Sequence, residues 1–105
     1  DCESMEVGVA ETLSSPSTGN LNQDIPISTR FIISNGCGSF SGFTTQTSGD
    51  TTAIKPMITY KGCVCTQALT YVDSNYTFRT QTAGRYYFKM LQYGQQYLLD
   101  SIDVN

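Results

Sequence analysis

No eleven-residue window of this chain sets apolar residues at helical spacing. It carries instead a succession of short stretches that alternate apolar with polar side chains and end at Gly, Pro, Asn, Asp or Ser. A period of two turns one face of an extended strand toward a core and the other toward water. Met5, Val7 and Val9 alternate with Glu6, Gly8 and Ala10, and Leu13 leads into the loop chemistry of Ser14 to Asn20. Ile25 to Ser34 is β-branched, stops at Asn35-Gly36, and holds Pro26 where a strand starts or lies on an edge. Phe40, Phe43 and Thr44 to Thr47 predict a more exposed strand that turns at Ser48-Gly49-Asp50. Thr51 to Tyr60 alternates again and is interrupted at Lys61-Gly62. Cys63 to Val72 continues extended, Asp73-Ser74 is read as a turn, and Tyr76 and Phe78 mark a short strand. Arg85 to Tyr93 and Gln96 to Val104 form a terminal hairpin around Gly94-Gln95. Seven or eight strands at this spacing predict an all-β fold, an antiparallel β-sandwich, and 105 residues suffice for one core, so residues 1–105 are read as a single domain.

Charged residues make up only 14% of the chain, so its solvent-facing polarity rests on Thr, Ser, Asn and Gln. Net charge is -3 and Lys and Arg are nowhere clustered, which excludes a footprint for nucleic-acid phosphates. No apolar run approaches the ~20 residues of a membrane-spanning helix, so no transmembrane segment is expected in the chain. The sequence contains no His, which removes the Ser-His-Asp and Cys-His constellations and the commonest general base. Gly38-Ser39-Phe40-Ser41-Gly42 has the glycine spacing of a nucleophile elbow, but Phe40 stands in the serine's place and the segment reads as a flexible loop. Asp50, Asp73, Asp100 and Asp103 leave a carboxylate-pair hydrolase as the one enzymatic alternative. Asp73-Ser74-Asn75 lacks the further acidic and glycine positions of a calcium loop. The chain is therefore expected not to be an enzyme, and no catalytic, cofactor-binding or metal residue is assigned.

Cys2, Cys37, Cys63 and Cys65 form an even set in a short, weakly charged chain, which points to disulfides and an oxidising compartment. A secreted or cell-envelope location follows, with any signal peptide already removed. Cys63 and Cys65 are two apart and share a face of an extended segment. Cys2 and Cys37 fall at the same end of a sandwich whose first two strands are antiparallel neighbours, which gathers all four cysteines there. Of the three connectivities, the one with a Cys63–Cys65 bridge conflicts with the required Cα spacing; the other two stay open. A single C-x-C is a poor match to the C-x₂₋₄-C spacing of structural zinc.

Thr82-Ala83-Gly84-Arg85-Tyr86-Tyr87-Phe88, at the start of the next-to-last strand, resembles the tyrosine corner of immunoglobulin-like and fibronectin-like sandwiches. The resemblance implies an immunoglobulin-like fold in which Tyr86 bonds the backbone a few residues upstream and Gly84 frees the approach. Phe88 stands where antibody domains have their second inter-sheet Cys, and the chain has no Trp, so the likeness is to the architecture alone. Asn35-Gly36-Cys37-Gly38, Gly62-Cys63-Val64-Cys65-Thr66-Gln67 and Ala83-Gly84-Arg85-Tyr86, taken together, are similar to small lipoproteins of Bacteroidetes-type bacteria. That resemblance implies an envelope location and nothing about chemistry. Asn75-Tyr76-Thr77 fits the N-glycosylation sequon. The expected function is a non-catalytic extracellular or cell-envelope module that binds a protein or a glycan, with Tyr60, Tyr93 and Tyr97 as candidate contact surface. The alternative is a structural ectodomain of a surface lipoprotein or assembly.

Overall fold

A computed structural model describes residues 2–92 and 96–105. Among them are nine strands and no helix: β1 (Glu3–Val7), β2 (Val9–Ser14), β3 (Thr18–Gly19), β4 (Ile25–Ile33), β5 (Gly38–Ser48), β6 (Thr51–Lys61), β7 (Thr70–Phe78), β8 (Gly84–Leu91) and β9 (Tyr97–Val104). They form a β-sandwich of a six-stranded and a three-stranded sheet. In the larger sheet β6 is central: β5 lies along one side, β1 and β8 share the other, and β9 and β3 follow β8. The smaller sheet runs β2-β4-β7, antiparallel throughout.

The strands form where the alternation is cleanest. β4 buries Ile25, Ile27, Thr29, Phe31 and Ile33 and turns Pro26, Ser28, Arg30 and Ile32 outward. Opposite it, β6 buries Ile54, Pro56 and Ile58, while β8 and β9 contribute Phe88, Met90, Ile102 and Val104. Each such side chain contributes about 1.5–3 kcal/mol on burial. The buried Thr29 hydroxyl is satisfied by donating to the Ser74 carbonyl at 2.6 Å. Phe31, Phe40 and Phe43 close the core beside β5, with Phe43 edge-on to Tyr76 of β7.

Nine strands replace the expected seven or eight: the first predicted strand divides at Gly8, Thr18–Gly19 within the stretch read as a loop pairs with β9 as β3, and the stretches expected on either side of Asp73-Ser74 form the single strand β7. β1 pairs with β6 in one sheet and β2 with β4 in the other. Gly8 is buried at the crossing and donates its N–H to the Pro56 carbonyl at 2.7 Å. A β-carbon there would press on Ile58, Phe31 and Pro56 at 3.3–3.4 Å, so a small residue suits the switch. The expected purely antiparallel pairing gains two parallel exceptions, β6 with β8 and β3 with β9. β7 returns through the opposite sheet, which leaves β6 and β8 running the same way. Asp73-Ser74, read as a turn, lies in the middle of β7: Asp73 faces outward beside Arg30 and Ser74 inward, in continuous register with β4. The Gly38 to Gly42 stretch, read as a loop, belongs to β5 and carries a bulge between Phe40 and Gly42. The segment of residues 62–69, expected to be extended, lies outside the strands.

Candidate functional site

Disulfides join Cys2 to Cys63 and Cys37 to Cys65, with Cα separations of 5.0 and 5.4 Å, leaving no free cysteine among the described residues. All four are gathered at one end of the sandwich, where they tie the start of β1 and the β4–β5 connection to the 62–69 segment. The bridges are helped by Gly62 N–H donating to the Cys2 carbonyl at 2.7 Å and Gly36 N–H to the Thr66 carbonyl at 2.8 Å. Tyr60 belongs to this end. Its hydroxyl accepts from the Ser34 N–H at 3.1 Å and shares a 2.8 Å hydrogen bond with the Ser34 hydroxyl. Its ring lies against Gly38, where a side chain would collide with it and with Ile33. Tyr60 is thus engaged within the fold, because its inward position on β6 commits the ring to the end of the core.

The corner at Gly84 has the geometry that its residues suggest. The Tyr86 hydroxyl donates to the Thr82 carbonyl at 2.7 Å and lies 2.9 Å from the Thr80 hydroxyl. Its ring tilts against Phe78 with centroids 5.1 Å apart. Gly84 has φ +155° with open space around it, so backbone conformation rather than crowding favours glycine. Tyr86→Phe keeps the ring and removes the hydrogen bonds. It should cost about 1–2 kcal/mol in urea unfolding, and an unchanged midpoint would show that the hydroxyl does not hold the corner.

β8 and β9 present a different chemistry on the outer face of the six-stranded sheet. Inward-facing Phe88 and Met90 leave Arg85, Tyr87, Lys89 and Leu91 pointing out, and β9 adds Tyr97, Leu99, Ser101 and Asp103. The register sets Arg85 opposite Asp103, Tyr87 opposite Ser101, Lys89 opposite Leu99 and Leu91 opposite Tyr97. Leu99 is 73% exposed, Tyr97 49% and Tyr87 39%, so large apolar surface lies open on a regular sheet. The Lys89 ammonium sits 4.8 Å from the Tyr97 ring centroid. Beside it, Gln46, Ser48, Thr51, Ala53 and Lys89 line a shallow depression of about 360 Å³.

The charged end of this face is a two-pronged ion pair, Arg85 Nε and Nη2 donating to Asp103 Oδ1 and Oδ2 at 2.8 and 3.3 Å. Hydrogen bonding to Arg85, with the attraction of its charge, lowers the Asp103 carboxyl below its ordinary value and raises the guanidinium of Arg85 further. The other acidic residues serve separate local roles. Asp100 accepts from the Ser15 N–H at 2.7 Å and from the Ser101 N–H at 2.8 Å, and the Asp50 carbonyl accepts from the Tyr87 N–H at 2.9 Å. Asp73 lies 3.9 Å from Arg30, which also approaches Glu11 at 3.7 Å and covers the Tyr71 ring. Asn75 is exposed on the outer face of the smaller sheet.

Of the three tyrosines expected to form a contact surface, the structure places Tyr97 on the open face and Tyr60 in the core end. Tyr93 lies outside the described residues. Tyr87 and Leu99 were missed by sequence reasoning. Strict alternation counted outward from Phe88 and Ile102 would have found both. A model of the ORF11 beta-sandwich domain matches residues 27–96, from within β4 to the residue before β9. No curated protein and no solved structure matches the chain.

Proposed function

The chain belongs to the ORF11 beta-sandwich domain family, and from that premise we propose that it is a non-catalytic, extracytoplasmic binding module that docks a protein through the outer face of β8 and β9. The single observation that carries this reading is the open row of Tyr87, Leu99 and Tyr97, framed by Lys89 and the Arg85–Asp103 pair. Exposed apolar surface with a polar rim marks contact sites, and tyrosine supplies rigid contact area at little entropic cost. Leu99 favours a protein over a sugar: an aliphatic knob has no hydroxyl to bond, and one side of the Tyr97 ring is occupied by Lys89. The two disulfides support an oxidising compartment, secreted or at the cell envelope. The Tyr86 corner supports an immunoglobulin-like build. A structural ectodomain role would use the same face against a neighbouring subunit of an assembly.

Photo-cross-linking in the producing cells tests the reading. A benzoylphenylalanine at position 99 should capture one discrete protein that the same group at position 77, on the opposite sheet, does not. Leu99→Asp with Tyr97→Ala should then weaken binding of that captured protein at least tenfold, about 1.4 kcal/mol, with thermal stability retained. Equal capture from both faces, or undiminished affinity in the double variant, would count decisively against this face.

A further inference from the structure

We infer that the distal half of β5 is a self-docking edge, through which two copies of this chain pair strand to strand and continue the six-stranded sheet across a two-fold axis. Among the described residues β5 pairs only with β6, so its other side offers unpaired backbone N–H and C=O groups. The other edges carry deterrents to such pairing. β1 has Glu3 and Glu6, β2 has a bulge at Glu11, β3 is two residues long, β7 points Asp73 outward toward Arg30, and β9 beyond its short pairing with β3 is covered at Asp100 and Ser101 by hydrogen bonds from Ser15. The proximal part of β5 is likewise protected by the bulge at Ser41 and by Gly42 at φ +114°.

From Phe43 to Ser48 that protection stops. The register with β6 is unbroken, Thr44 to Ser48 are all exposed, and the whole of Gly38–Ser48 contains neither a charged residue nor proline. The occupant follows from charge. A strand that pairs with itself sets each side chain opposite its own kind or a near neighbour, so charged residues would meet like charges. Centred on Gln46, an antiparallel pairing sets Thr45 opposite Thr47 of the second copy and Thr44 opposite its Ser48. Hydroxyl meets hydroxyl and amide meets amide, all groups that both donate and accept. Lys55 is drawn back to Gln46 Oε1 at 3.2 Å on its own sheet, and Lys89 is held toward the Tyr97 ring, 4.8 Å from its centroid. The symmetry is isologous and closed, so the product is a dimer. The edge adjoins the β8–β9 face at the depression lined by Gln46, Ser48 and Lys89, but strand pairing uses the backbone of β5, so substitutions at residues 45 and 47 test it apart from those at residues 97 and 99.

Sedimentation velocity of the disulfide-bonded chain should show a concentration-dependent monomer–dimer equilibrium. Thr45→Lys with Thr47→Lys should weaken the dimer at least tenfold, and mixing that variant with Thr45→Glu/Thr47→Glu should restore pairing as a heterodimer. Amide hydrogen exchange of the unmodified chain gives a second readout without substitution: protection at residues 44–48 should rise with protein concentration while that of β7 stays constant. A chain that remains monomeric up to about 1 mM, a dimer indifferent to the lysine pair, or concentration-dependent protection elsewhere would overturn the inference.

Discussion

Reducing both disulfides should leave this domain largely unfolded at room temperature. The bridges close segments with sequence separations of 61 and 28 residues, which in the chain-entropy model correspond to about 4 and about 3.5 kcal/mol. The two loops overlap, so the joint effect is smaller than the sum, yet small domains have only about 5–15 kcal/mol of net stability in all. The effect is also local in origin. Residues 62–69 contain no strand, and the bridges hold that segment against the start of β1 and the β4–β5 connection. Urea unfolding followed by circular dichroism, with and without reductant, measures the effect. Cys37→Ala with Cys65→Ala should cost about 2–4 kcal/mol, and removal of all four cysteines most of the stability. A reduced protein with the same midpoint would show that the core alone suffices.

Phe31→Ala should be the most damaging single core substitution. Phe31 is fully buried on the central strand of the smaller sheet, and its ring meets Phe40 at 4.9 Å and Phe43 at 6.1 Å. It packs with Ile33 and Ile58 and lies beside the sheet switch at Gly8. Truncation removes apolar contact from both sheets and leaves a cavity that regular strands cannot collapse to fill, a loss of about 3–5 kcal/mol. For a domain of this size that corresponds to a melting temperature lower by roughly 15–30 °C. Scanning calorimetry reads it directly. Tyr71→Ala, on the outer face of the same sheet and 48% exposed, should cost under about 1 kcal/mol. Similar losses at the two positions would mean that the core is not organised around Phe31.

The amino-acid order by itself determined whatever depends on neighbours within one strand or turn. The inward set of β4, Ile25 to Ile33, is legible because strand periodicity is a local property of the chain. The Tyr86 corner is legible because donor and acceptor are four residues apart. The absence of His restricts the chemistry without any fold being known. Tertiary structure alone decided what depends on partners distant in sequence. Asp73-Ser74-Asn75 has turn chemistry, but nine paired positions with β4 outweigh a weak local preference and hold it extended. The same alternating stretch from Met5 to Leu13 reads as one strand until Gly8, wedged against Phe31 and Ile58, passes it from one sheet to the other. Cysteine spacing left two connectivities open, and bringing Cys63 to Cys2 and Cys65 to Cys37 required the whole sandwich to place four distant segments at one end. Tyr60 and Tyr97 are chemically equal, yet one closes the core and the other faces solvent. Which face of a strand is covered is set by the second sheet packed upon it, and that sheet is built from residues elsewhere in the chain.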